Sequence, residues 1–167
     1  MVKKHLWFDN IWTIQHKRNG EVIWEDSGRN GLADEGEEAM LESYFRGNAT
    51  FEPTEFYVRL CNDTLVETDI LGTVANEPPA TYGYAPQLLE RSAVGFPVKE
   101  LNEGDWRLAS KELTFTASGG DIGPVTTAYL STTSGNSGKL IAFRTLSLTR
   151  TVLDGDEMVV QMRIKLS

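Results

Sequence analysis

Several short segments of this chain carry residue types that could do chemistry. Ser134-Gly135-Asn136-Ser137-Gly138-Lys139-Leu140 has the glycines and the lysine of a phosphate-cradling loop. Such a loop needs a longer gap between its glycines and a Ser or Thr after the lysine, to reach magnesium. Here only two residues intervene, and Leu140 follows the lysine. The segment also falls between two expected strands, so no helix N-terminus would face a phosphate. It reads as a hairpin turn. Ser118-Gly119-Gly120-Asp121-Ile122-Gly123-Pro124 lacks the glycine spacing of a dinucleotide site and is followed by no helix, so it reads as a loop.

The carboxylates, the thiol and the imidazoles give equally weak signals. Asp154-Gly155-Asp156-Glu157 could offer oxygens to calcium, but the apolar alternation from Met158 supplies no further ligands, and a tight turn is the simpler reading. Cys61 with His5 or His16 could form a thiol–imidazole pair, yet no third orienting residue stands out. A lone strand cysteine packs as a small apolar group. Asp105 and Glu112 could serve as paired acids on a cell-wall polymer, a weak signal in a chain with 24 acids. The expectation is a non-enzyme with no catalytic residue, no metal ligand and no cofactor.

Composition narrows the partners. The 167 residues include 16 basic and 24 acidic side chains, for a net charge of −8. Phosphate neutralisation needs the opposite balance, so no nucleic-acid partner is expected. A single cysteine excludes a disulfide framework. No apolar run approaches the ~18 residues of a membrane span, and the basic N-terminus leads into Phe8-Asp9-Asn10 rather than a signal-peptide core. No membrane partner is expected, and the protein should be soluble and made inside a cell.

The elements that would position any site are mostly strands. Residues 6–14 and 21–25 are rich in aromatic and branched side chains, and Asn19-Gly20 between them favours a hairpin turn. Acids at 34–38 and Leu32, Met40, Leu41, Tyr44 and Phe45 at helical spacing predict one helix over 34–46, with Asp34 as its cap and one apolar stripe toward the core. Phe56, Val58 and Leu60 alternate with Tyr57, Arg59 and Cys61. A long polar connection covers 62–80, and further strands are expected at 85–92, 106–117, 124–132, 139–148 and 158–166. Together these predict a mainly β chain: an antiparallel β-sandwich or jelly roll of about eight strands with one short helix, as a single domain over 1–167.

The oddity is aromatic. Trp7, Phe8, Trp12 and Trp24 crowd the first hairpin and load both faces of its first strand. A strand apolar on both faces is either covered by another element or meets a partner. These four are therefore the candidate interface. Sugar rings stacking on Trp7, Trp12, Trp24 and Trp106 are the third possibility.

The order of features resembles a known group. Asn30-Gly31-Leu32-Ala33-Asp34-Glu35-Gly36 follows a hairpin and precedes the helix. Phe56-Tyr57-Val58-Arg59-Leu60-Cys61-Asn62-Asp63 leads into Asp69-Ile70-Leu71, and Glu77-Pro78 is followed by Gly83-Tyr84-Ala85-Pro86-Gln87. Gly123-Pro124-Val125-Thr126-Thr127-Ala128 and Leu153-Asp154-Gly155-Asp156 complete the layout. It resembles small β-rich structural proteins of tailed bacteriophages, assigned to head decoration, fibre or tail components. The resemblance implies a virion protein made in the host bacterial cytoplasm and assembled in several copies, with a trimer favoured. The leading expectation is a capsid decoration protein bound to the major capsid protein or other virion proteins. A tail or neck protein and a carbohydrate-binding sandwich are the alternatives.

Overall fold

The computed structural model describes residues 8–166. Two antiparallel sheets face each other. In the first, the order is β2 (Glu21–Arg29), β1 (Phe8–Arg18), β11 (Glu157–Leu166), β7 (Asp105–Ala109) and β6 (Val98–Asn102), and β8 (Leu113–Thr116) pairs with another stretch of β11. In the second, it is β3 (Gly31–Leu32), β10 (Leu140–Val152), β9 (Ile122–Ser131), β4 (Glu55–Cys61) and β5 (Gln87–Glu90). The sandwich is as the alternation predicts, with eleven described strands instead of about eight. The short strands β3 and β6 lack a readable period. The expected strand at 106–117 is broken at Ser110, whose hydroxyl and N–H both bond the backbone of Met162 (2.9 and 2.8 Å), so β7 and β8 flank that point on β11.

Local chemistry explains the best-formed pieces. Asn19 and Gly20 adopt φ of 51° and 81°, the paired left-handed conformation of a tight hairpin turn, and they set the register of β1 on β2. The inner faces then interleave. Trp12 and Ile14 of β1, Leu113 and Phe115 of β8, and Met158, Val160 and Met162 of β11 meet Val58, Leu60, Leu89, Ala128, Leu130 and Ala142 of the other sheet.

The 62–80 connection is more than polar linkage. It folds over the outer face of the second sheet, where Leu65, Leu71 and Val74 bury Cys61, Tyr129, Leu140 and Phe143. These three apolar residues follow neither strand nor helix spacing, which is why the sequence hides their role. The Asp63 carboxylate holds the returning chain, accepting from the N–H groups of Ala75 and Asn76 at 3.0 and 3.1 Å.

The helix is present, but its burial corrects the expectation. Helix α1 (Asp34–Met40) continues as a wider π-turn over Leu41–Phe45. Ala33 is the N-cap, without a side-chain cap bond, and Asp34 lies in the first turn with Glu35 and Glu37. The buried positions are Gly36 and Ala39, while Leu41, Tyr44 and Phe45 are 57%, 82% and 67% exposed. The later part of the predicted stripe, Leu41, Tyr44 and Phe45, thus points outward, while Leu32 and Met40 are half-buried. The close approach of α1 to β10 is the cause: a Cβ at Gly36 would sit 2.3 Å from the Ile141 carbonyl oxygen, so only small residues fit that face. Glu35 completes the join, its carboxylate accepting from the Leu71 and Leu140 N–H groups at 2.9 and 2.7 Å.

Candidate functional site

Two networks of buried charged residues stand out, one on the inner face of the first sheet and one under the cover on the outer face of the second. In the first, Asp156 accepts from His16 Nε2 at 2.8 Å and from the Arg18 guanidinium at 2.9 and 2.8 Å. Arg150 donates to His16 Nδ1 at 3.0 Å, and its guanidinium lies 5.2 Å from the centre of the Trp24 ring. In the second, Arg59 is 1% exposed and makes a two-pronged pair with Glu77. The same guanidinium donates to the Gly135 carbonyl and to Asn136 Oδ1, at 2.6 and 2.8 Å, and lies over the Tyr129 ring. Tyr84 donates to Glu77 at 2.6 Å.

The energetics of both networks are structural. Burial alone would raise the Glu77 carboxyl, but hydrogen bonds from Arg59 and Tyr84 hold it below the usual carboxylate range. The same burial, with the Glu77 charge, drives the Tyr84 and Tyr129 hydroxyls well above the ordinary phenol range. Burial also pushes the Cys61 thiol up to about 12, which leaves it protonated and unreactive at neutral pH. None of these groups is poised for proton transfer near neutrality. They bind loops to sheets: Arg59 fastens both the 62–80 cover and the 132–139 turn onto β4.

The residues singled out in the sequence are largely kept apart. Cys61 lies under the 62–80 cover on the outer face of the second sheet, whereas His16 lies on the inner face of the first. His5 is outside the described residues. Asp154 accepts from the Gly119 N–H at 2.7 Å, while Asp156 turns inward to Arg18, so the carboxylates of the 154–157 turn do not converge. Asp105 pairs with Lys165 at 3.2 Å, and Glu112 is exposed between β7 and β8. Gly135 and Asn136 of the glycine-rich turn serve as acceptors for Arg59.

The candidate interface divides. Trp7 lies outside the described residues, and Phe8 opens β1 opposite Leu166. Trp12 is 0% exposed and packs in the core between the sheets. It shares with Ile14 the side of β1 that meets the second sheet. Trp24 is half-buried against that core. Two exposed apolar groups lie outside the β1–β2 hairpin. Leu101 and Trp106, directly opposite each other across the β6–β7 hairpin, are 60% and 57% exposed. Register places them on the same face as Leu108, Ile164 and Met162, the inner face of the first sheet, where it runs on without a covering strand. Lys99 lies 5.3 Å from the centre of the Trp106 ring. The second exposed group is the π-turn, where the Tyr44 and Phe45 rings meet edge to face at 5.0 Å beside Leu41. Sequence reasoning named Trp106 only as a sugar-stacking tryptophan and missed Leu101 opposite it, because β6 has no clear alternation, and it misread the π-turn because apolar helical spacing looks the same whether it faces the core or solvent.

Comparison with known protein families decides the class. Residues 31–164 match the model of a family described as podophage GP4 fiber I protein gp80. The chain belongs to this fibre family. The match spans both sheets from β3 to β11 and includes both exposed apolar groups. No curated protein matches the chain. Membership in the podophage fibre family makes the chain a phage virion structural component, and the family is a structural one.

Proposed function

We propose that this protein is a non-enzymatic part of a podophage fibre that holds its place by contact with other virion proteins. The carrying observation is how its side chains are used. Asp156, Glu77, Glu35 and Asp26 are each engaged by partners inside the fold. The conspicuous exposed groups are apolar: Leu101 and Trp106 on the sheet, and Leu41, Tyr44 and Phe45 on the π-turn. Apolar clusters on a charged surface are the mark of a contact site rather than a catalytic one. The family match supports a fibre over the capsid-cement role that the sequence layout first favours.

Gold-labelled antibody against the protein, applied to intact particles, tests this reading. Label on the fibres is the expected result. Label spread over the capsid faces restores the decoration role, and particles without label remove the virion reading altogether.

A further inference from the structure

We infer that copies of this chain bind one another head to tail, the Leu41–Tyr44–Phe45 knob of one copy seating on the Leu101–Trp106 shelf of the next. The inference deepens the fibre reading by naming the contact that would join its subunits.

Three observations support a second copy as the occupant. First, both surfaces are preformed. The shelf is an uncovered part of a hydrogen-bonded sheet, and the knob is a single π-turn whose two rings already brace each other. Aromatic anchors held in this way lose little side-chain freedom on docking. Turns of this width also recur at functional sites in helices.

Second, the charges around the two groups are opposite. Glu37, Leu41 and Phe45 follow at one-turn spacing along a single side of the helix, and the neighbouring Asp34 is exposed with Glu37, while Glu38 pairs with Lys139 at 3.6 Å. The shelf instead carries Lys99 over its tryptophan. Shelf against shelf would bring Lys99 against its own copy, and knob against knob would bring acids together. Knob against shelf matches an ammonium with carboxylates while both apolar groups leave water.

Third, the two surfaces lie on different elements, the knob beyond α1 on β10 and the shelf on β6–β7. A contact between unlike patches repeats from copy to copy, and it closes into a ring or runs on as a filament. Either outcome suits a fibre.

Mixing variants of the purified full chain gives the test, read by analytical ultracentrifugation. Leu101→Asp damages only the shelf, and Phe45→Asp damages only the knob. Both positions are exposed, so both variants should fold. Wild type should self-associate, and each variant alone should weaken association by about tenfold or more, toward monomer. An equimolar mixture should form one-to-one dimers that grow no further, because one knob and one shelf remain intact. Lys99→Glu should weaken association in the same way, and adding Glu37→Lys should recover it. A wild type that stays monomeric at every concentration overturns the proposal, as does a mixture that stays monomeric. These outcomes are independent of the labelling result, which judges the fibre reading by itself.

Discussion

The Asp156 carboxylate and the His16 imidazole, 140 positions apart in the chain, meet in a buried hydrogen bond of 2.8 Å. The bond ties the first hairpin of the sandwich to its last turn. Arg150 has only donors to offer, so the His16 Nδ1 it faces must accept. The ring proton therefore sits on Nε2 and is donated to Asp156. Arg18 closes the other side of the carboxylate with two parallel bonds.

Acid should release this clasp. Arg18 chiefly, with His16, outweighs burial and holds the Asp156 carboxyl at about 2, against an ordinary 3.8. A carboxyl lowered by folding stabilises the fold above its unfolded pKa, and the contribution fades as pH falls through the folded one. Thermal melts of wild type should accordingly lose stability between pH 4 and 2. Asp156→Asn should lose roughly 2–3 kcal/mol at neutral pH and show a flatter acid limb over that window. Equal acid limbs in the two proteins would remove Asp156 as the sensitive group.

Gly36 sets two effects against each other. Alanine in place of a helical glycine gains about 1 kcal/mol of intrinsic propensity. Here its Cβ would meet the Ile141 carbonyl oxygen at 2.3 Å, a backbone atom that cannot rotate away. Overpacking of this kind costs about 1–3 kcal/mol. The clash should win, and Gly36→Ala should lower the urea midpoint despite the better helix former.

The same glycine shows what the sequence made legible. Asn19-Gly20, the alternation of β11 and the acids of the first helical turn each identify a local conformation, and each appears where expected. Periodicity does not say which side of a short helix is buried when the nearest strand demands small residues. Gly36 and Ala39 therefore face the sheet and Leu41 faces water. The cover formed by Leu65, Leu71 and Val74 was hidden for a related reason, since an irregular loop has no period to read. The clusters around Asp156 and Arg59 join residues far apart in sequence, and only the register of the sheets brings them together.

Tryptophan substitutions separate core from surface. Trp12 is wholly buried between the sheets, and Trp12→Ala should cost about 3–5 kcal/mol, read directly as a fall in melting temperature. Trp106 is 57% exposed, and Trp106→Ala should change the stability of the single chain by less than about 0.5 kcal/mol. Comparable losses at the two sites would show that the shelf is already covered in solution.

Arg59 offers the sharpest test of the covering loop. Its guanidinium grips Glu77 with two prongs while donating to Gly135 and Asn136 and lying on the Tyr129 ring. A lysine keeps the charge but offers neither the planar fork nor the stacking face. Arg59→Lys should thus leave Glu77 and the 132–139 turn underbonded and cost about 3 kcal/mol or more. The effect should appear locally first, because Arg59 ties Glu77, near the end of the 62–80 cover, to β4. Cys61 reports on the opening: it is buried beneath the cover, with its thiol pushed up to about 12. Wild type should react with a thiol reagent only on global unfolding, while Arg59→Lys should label at denaturant concentrations where the β-sheet signal is still intact. Labelling that tracks global unfolding in both proteins would show that the cover is held by its apolar contacts alone.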